Sequence, residues 1–235
     1  MRQLLLLFTL ALAVSFTSCS VDDNTVVIPI APPQTTLKYL ALGDSYTIGQ
    51  SVCATCRFPE QLKDSLAGRL SRDVIVDVIA RTGWTTGNLL AAIDANTPAS
   101  DYDLVTLLIG VNNQFQNRPF SIYETEFPTL VEKAISFANG DLNKVVVVSI
   151  PDYAYTPYGQ ISSNPANISA GIDQYNNFAK NYCLSRNIKF VDITPITRRG
   201  LQEPTLVASD GLHPSEIAYT EFVALLLPIT LQILQ

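Results

Sequence analysis

The sequence predicts an α/β fold, a three-layer α/β/α sandwich around a five-stranded parallel sheet of order 2-1-3-4-5. Three observations carry this. Short apolar runs alternate with helical stretches five times along the chain, and that alternation implies a parallel sheet wrapped on both faces. Residues 104–109 are the most apolar run outside the first residues of the chain, as a central strand covered on both sides requires. The side chains with chemistry to offer (Ser45, Asn112, Asp210 and His213, together with the backbone of Gly83) all fall at strand ends or just past them, where open α/β sheets build their sites.

The chain carries a net charge of −6 and no basic run or basic–aromatic stripe, which argues against nucleic acid as a partner. Residues 1–18 read as an export signal: Arg2 supplies a positive start, 4–14 is apolar and small residues follow. The apolar segment is too short to span a bilayer. Cys19, directly after it, resembles the acceptor cysteine of a bacterial lipoprotein, with Phe16 where leucine is usual. Acylation there would anchor the protein to a membrane; plain secretory cleavage would release it. Residues 19–36, with Asp22, Asp23, Pro29, Pro32 and Pro33, read as an extended tether. That leaves 37–235 as one folded domain, large enough to bury a core without metal or disulfide staples. The expected location is the cell envelope, periplasmic or outer-surface side, with secretion as the alternative.

Residues 39–42 are an apolar run that stops at Gly43, the mark of a short buried strand followed by a tight turn. Asp44 and Ser45 come next, and residues 48–57 read as loop. Cys53 and Cys56 lie in that loop; in an exported protein a close pair of this kind reads as a small disulfide loop. A redox site would need the motif to open a helix after its own strand. Zinc lacks ligands, with Cys183 and one histidine as the remaining candidates. Residues 59–70 space Leu62, Leu66 and Leu70 as a helix opened by Pro59. Residues 74–79 form a strand that delivers Gly83, and Thr85 or Thr86 caps a helix to residue 95. The strand at 104–109 ends at Gly110 and presents Asn112. A helix at 121–139, a strand at 144–150, an irregular stretch at 153–167, a helix at 168–186 and a strand at 189–192 follow. Residues 215–234 read as the closing helix, and Pro214 fits the first position of a helix there. The strand order is that of flavodoxin-like folds.

Ser45 is a poor nucleophile unless a base lies beside it, and that base needs an acceptor to orient it. The chain has one histidine, His213, and Asp210 stands three residues before it, within reach in a turn. Gly43-Asp44-Ser45-Tyr46-Thr47 near the start, with Asp210-Gly211-Leu212-His213-Pro214 near the end, resembles the SGNH (GDSL) hydrolase family. Arg81-Thr82-Gly83-Trp84 is similar to its glycine block and Gly110-Val111-Asn112-Asn113 to its asparagine block. The four blocks stand in the family's order and span nearly the whole mature chain. Asn113 departs from the family's usual aspartate, a change expected to alter local hydrogen bonding and leave catalysis in place. The G-x-S-x-G elbow of α/β-hydrolases is absent, since Thr47 stands at its last glycine.

The expected activity is carboxylic ester hydrolysis through an acyl-enzyme, with no cofactor and no metal. Ser45 is the expected nucleophile, His213 the base and Asp210 its orienting acid. The N–H groups of Ser45 and Gly83 and the amide of Asn112 form the expected oxyanion hole; glycine at 83 would let a backbone N–H come close. Asp44 is assigned to holding the turn. Trp84 and the tyrosines at 153, 155 and 158 are candidates for the substrate rim, since a tyrosine face suits a sugar ring or an acyl chain. No insertion is long enough to cover a deep tunnel, which favours short acyl groups. The substrate is a small ester: O-acetylated carbohydrates are the first expectation and a lysophospholipase or thioesterase-type lipid activity the second. A non-catalytic glycan- or lipid-binding lipoprotein is the reading from another class.

Overall fold

The structure is a computed structural model and describes residues 36–162 and 164–235. The export signal, the tether through residue 35 and the Cys19 acceptor lie outside the described residues.

Strand β1 (Leu37–Gly43) is followed by the short helix α1 (Ser45–Ile48), then by α2 (Phe58–Leu70) and β2 (Val74–Ala80). Helix α3 (Thr86–Ala95), β3 (Leu104–Leu108), α4 (Val111–Phe115) and α5 (Phe120–Phe137) come next. The chain closes with β4 (Val145–Val148), α6 (Pro165–Ser185), β5 (Lys189–Val191), α7 (Thr194–Thr197) and α8 (Glu216–Leu234). The sheet is parallel throughout and its order is β2-β1-β3-β4-β5, as the alternation of elements predicts. Helices α2 and α8 pack on each other, while α3, α5 and α6 form the other layer.

The central strand β3 is buried at every residue. Its one polar side chain, Thr106, is satisfied by the Tyr39 hydroxyl at 2.8 Å, so the strand tolerates a hydroxyl where periodicity alone asks for an aliphatic. Helix α8 is apolar enough to cross a membrane by length and composition, yet it lies on α2 with Tyr219, Phe222 and Leu226 buried.

Three differences from the sequence expectations bear on the site. Helices α1, α4 and α7 arise where no helix is expected; each has at most five residues, too few to show a helical period. Helix α6 begins at Pro165, three residues early, because the Asn164 side chain caps it by accepting from the Asn167 N–H at 3.2 Å. Pro214 is not the first residue of α8. Ser215 caps that helix, accepting from the Ala218 N–H at 3.3 Å, and Pro214 instead pairs across to Val207 in an antiparallel bridge. The Ala208 N–H donates to the His213 carbonyl at 2.7 Å, so a small closed loop, not a helix start, holds the histidine.

Register sets the stage for the site. Gly43 at the end of β1 lies opposite Ala80 of β2 and Leu108 of β3. The turns leaving these three strands therefore emerge side by side.

Candidate active site

The turn that presents Ser45 is built by close approach. A Cβ on Gly43 would stand 2.1 Å from Thr47 Oγ1 and 2.5 Å from the Leu108 carbonyl oxygen, so only glycine lets α1 fold back against the strand ends. Asp44 caps α1 by accepting from the Tyr46 N–H at 3.0 Å. It is fully buried. Burial pushes its carboxyl up to about 7, and the hydrogen bonds from Tyr46 and Asn112 offset only part of that. Ser45 follows as the first residue of the helix and is 3% exposed. Its side chain opens onto a cleft of about 180 Å³ that Gly83, Asn112 and His213 also line.

His213 is held from two sides. Its Nδ1 lies 2.6 Å from Asp210 Oδ2, and its ring packs on Tyr46 with centroids 5.1 Å apart. Asp210 also accepts from the N–H groups of Leu212 at 2.9 Å and His213 at 3.0 Å, and from the Ser51 hydroxyl at 2.6 Å. Partial burial works against ionisation of Asp210, but these bonds outweigh it and hold its carboxyl well below the usual carboxylate range. An ionised Asp210 fixes the imidazole proton on Nδ1 and leaves the Nε2 lone pair as the basic atom. No hydrogen bond joins Ser45 Oγ to the imidazole; such bonds are often long before substrate binds.

Gly83 takes φ +82° with nothing within 4 Å of where a Cβ would stand. The left-handed backbone favours glycine here, and the open space on its Cβ side leaves the N–H approachable. Among the described residues, the N–H groups of Gly83 and Ser45 have no protein acceptor. Asn112 Nδ2 donates to the Trp84 carbonyl at 3.0 Å and more weakly to Asp44 Oδ2 at 3.4 Å. One of its two protons is fixed by a good bond; the other is held loosely enough to be taken by an incoming oxygen.

The rim differs from expectation. Trp84 contributes its carbonyl to Asn112, while its side chain packs against the core and lines neither the cleft nor the neighbouring groove. Tyr155 lines neither the cleft nor its neighbouring groove. Tyr153 lines both although 6% exposed; burial pushes its phenol up to about 12, and its hydroxyl donates to Gln114 Oε1 at 2.8 Å. Tyr158 lines the groove.

Sequence reasoning missed two contributors, Ser51 and Phe115. Ser51 reaches Asp210 from a left-handed backbone, φ +68°, while its neighbour Gln50 accepts from the Thr82 hydroxyl at 2.6 Å. The Cys53–Cys56 disulfide follows directly, so this loop ties the acid to the glycine turn. Phe115 on α4 lines the cleft. Asn113, expected from its departure from aspartate to alter local hydrogen bonding, is buried; it accepts from the Thr86 N–H at 2.9 Å and donates to Thr86 Oγ1 at 2.7 Å. Its amide joins α4 to the start of α3 by one accepted and one donated bond, a pairing an ionised aspartate could not make.

Residues 41–220 match the GDSL-like Lipase/Acylhydrolase family. No curated protein sequence matches the chain. Among solved structures, a lipase/acylhydrolase from Enterococcus faecalis superposes with a TM-score of 0.66 at 21% identity, covering 82% of this chain and 94% of that one. An acetylxylan esterase from Geobacillus stearothermophilus gives 0.62 at 20% identity, with coverage of 84% and 94%. A lipolytic protein of the G-D-S-L family from Veillonella parvula gives 0.61 at 21%, with coverage of 83% and 97%. At these identities the likeness shows a shared fold.

Proposed function

The chain belongs to the GDSL-like lipase/acylhydrolase family and is a carboxylic ester hydrolase; from that premise we propose that it cleaves short-acyl esters, O-acetylated carbohydrates foremost, through an acyl-enzyme on Ser45. The observation that carries this reading is the single cleft onto which Ser45, Gly83, Asn112 and His213 all open, with Asp210 bonded to the histidine from outside. His213 Nε2 takes the Ser45 proton as Oγ attacks the ester carbonyl, and Asp210 stabilises the imidazolium that forms. The Ser45 and Gly83 N–H groups and the loosely held Asn112 proton receive the oxyanion. Collapse expels the alcohol, which takes the proton from the imidazolium. Water, deprotonated by the same nitrogen, then releases the acid and restores Ser45.

The cleft volume of about 180 Å³ is below the roughly 300–1,000 Å³ usual for ligand sites. It suits an acetyl or similarly short acyl group. The acetylxylan esterase that shares the fold is in keeping with a sugar ester. Turnover of p-nitrophenyl esters from acetate to octanoate, with Ser45→Ala as control, tests the reading. Activity falling steeply beyond butyrate and absent in the variant is expected; a preference for octanoate overturns the short-acyl assignment.

We further propose that a lipid on Cys19 holds the protein in the cell envelope. The apolar 4–14 stretch, the small residues after it and the Cys53–Cys56 bond, which suits an oxidising compartment, support this. Mass spectrometry of the mature amino terminus decides it: an unmodified start at any residue other than Cys19 refutes the anchor.

A further inference from the structure

Beside the small cleft lies a second, larger groove of about 590 Å³, and the two share Phe115 and Tyr153 as walls. Its size falls within the roughly 300–1,000 Å³ usual for ligand sites. Phe115 is 43% exposed although it is a large apolar ring. It is held edge-on to Tyr153 with centroids 5.6 Å apart and tilted to Tyr158 at 6.2 Å, so part of an aromatic surface stays open to solvent in a fixed orientation.

Around this surface the polar groups are amides, with the Ser162 hydroxyl beside them. Gln114, Asn117 and Asn167 line the groove. Gln114 has its oxygen occupied by the Tyr153 hydroxyl, which aims the amide by a buried partner. Asn117 takes φ +52°, a left-handed backbone that turns the chain at the groove wall. Among the described residues, no Asp, Glu, Lys or Arg lines the groove or the cleft. A phosphate headgroup calls for cationic donors, and none is offered; Ile161 and Ile168 add apolar surface beside Phe115, but they share the wall with Ser162, Asn164 and the amides, so a long acyl chain finds no continuous apolar wall. Amides that both donate and accept, set beside aromatic faces, suit a neutral ring bearing hydroxyls.

We propose that the groove of Gln114, Phe115, Asn117, Tyr158 and Asn167 is the subsite for the alcohol part of the ester, and that this part is a neutral oligosaccharide. The inference rests on the ester-hydrolase reading above. The cleft takes the acyl group, and the shared Phe115–Tyr153 wall is the divide across which the scissile bond lies. The sugar rings extend from it over Tyr158.

The test has a kinetic arm and a binding arm on the mature chain. The kinetic arm is the ratio of kcat/KM on acetylated xylotetraose to that on p-nitrophenyl acetate, in wild type, Tyr158→Ala, Tyr158→Phe and Asn117→Ala. The ratio is expected to fall at least tenfold in Tyr158→Ala, mainly through KM, to fall about threefold in Asn117→Ala and to return in Tyr158→Phe, which keeps the ring. The binding arm titrates unacetylated xylo-, cello- and mannotetraose into Ser45→Ala by NMR. Shifts confined to groove residues are expected, weakened at least fivefold by adding Tyr158→Ala. An unchanged ratio in both Ala variants, or no titratable shift with any of the three sugars, overturns the subsite. So does a ratio that instead tracks turnover of lysophosphatidylcholine. If wild type fails to turn over p-nitrophenyl acetate, it is the esterase reading that fails, and the binding arm still decides the groove.

Discussion

Two aspartates stand in the two motifs at opposite ends of the chain, and the structure treats them in opposite ways. Both accept backbone N–H groups two or three residues on: Asp44 from Tyr46, Asp210 from Leu212 and His213. Asp44 is fully buried with one backbone donor and one weak amide contact, and burial raises it to about 7. Asp210 is partly open, has Ser51 and His213 as further donors, and stays below the usual range. The same side chain in the same kind of turn is thus near neutrality in one place and firmly charged in the other. Donor count against desolvation decides which. The chemistry asks for this division. A negative charge belongs behind the imidazolium, whereas an ionised carboxylate 3.4 Å from Asn112 opposes an oxyanion forming at the same amide.

The sharpest way to break the contrast is Asp210→Asn. The asparagine oxygen can still accept from Leu212 and His213, so the turn folds. Its amide, however, faces Nδ1 with a donor and favours the wrong tautomer. The expected fall in kcat is about 10⁴-fold, by analogy with the same change in other triads, with a thermal midpoint within a few degrees of wild type. Activity within tenfold of wild type would make Asp210 a mere turn residue, as Asp44 is.

Asp44 is tested through stability. Because its folded pKa is raised from 3.8 to about 7, the native state binds the proton more tightly than the unfolded chain. Its contribution is complete below about 3.8 and is lost as pH rises through about 7. The gap corresponds to about 4 kcal/mol at its full extent. Asp210 has the opposite sign: its contribution is present above 3.8 and disappears as pH falls below that. Urea unfolding of Asp44→Asn from pH 4 to 8 should lack the decline that wild type shows across this window. Parallel curves for the two proteins would mean that Asp44 is ionised at little expense, and the contrast would collapse.

Asn112→Ala removes the donor that lies between these two regimes. Loss of one oxyanion donor costs about 3 kcal/mol, or roughly 10²–10³ in kcat, with KM little changed. Esterase kinetics on p-nitrophenyl acetate check this. An effect confined to KM would assign Asn112 to ground-state binding, with its Trp84 bond as its main role.

The sheet and its order were legible because each strand is a short apolar run closed by a turn residue, and because alternation with helices leaves few topologies. The residues at strand ends were legible because Ser45, Gly83, Asn112, Asp210 and His213 each stand where a strand or a local turn delivers them, and the structure opens all but Asp210 onto one cleft. What escaped was set by three-dimensional neighbours. Nothing in the string around Ser51 says that a serine 159 positions upstream will touch Asp210. The ring of Trp84 was expected at the rim because it is the only tryptophan, but the turn at Gly83 points the carbonyl, not the ring, at the site. Phe115 escaped because α4 has five residues, and a helix of that length leaves no period to read.

Ser51 gives the smallest expected effect and the most direct probe of why Asp210 stays charged. It is one donor among four, and a hydrogen bond to a charged group contributes about 1.5–3 kcal/mol when intact. Ser51→Ala opens a partly exposed position to water, which replaces much of that bond, so a net loss of about 1 kcal/mol, or roughly fivefold in kcat/KM, is expected. The loop is closed by Cys53–Cys56, and opening a short loop of this kind releases roughly 2 kcal/mol of chain entropy in the unfolded state. Reduction should therefore lower the thermal midpoint. It should lower activity by about the same factor as Ser51→Ala, because it frees the segment that carries Ser51. The two changes act through one contact, so in combination they should give less than the product of their separate effects. Measuring kcat/KM for wild type and Ser51→Ala, each oxidised and reduced, closes that cycle. Fully multiplicative losses would show that the disulfide acts on the site by another route, through Gln50 and Thr82 at the glycine turn, and that Asp210 keeps its charge without help from the loop.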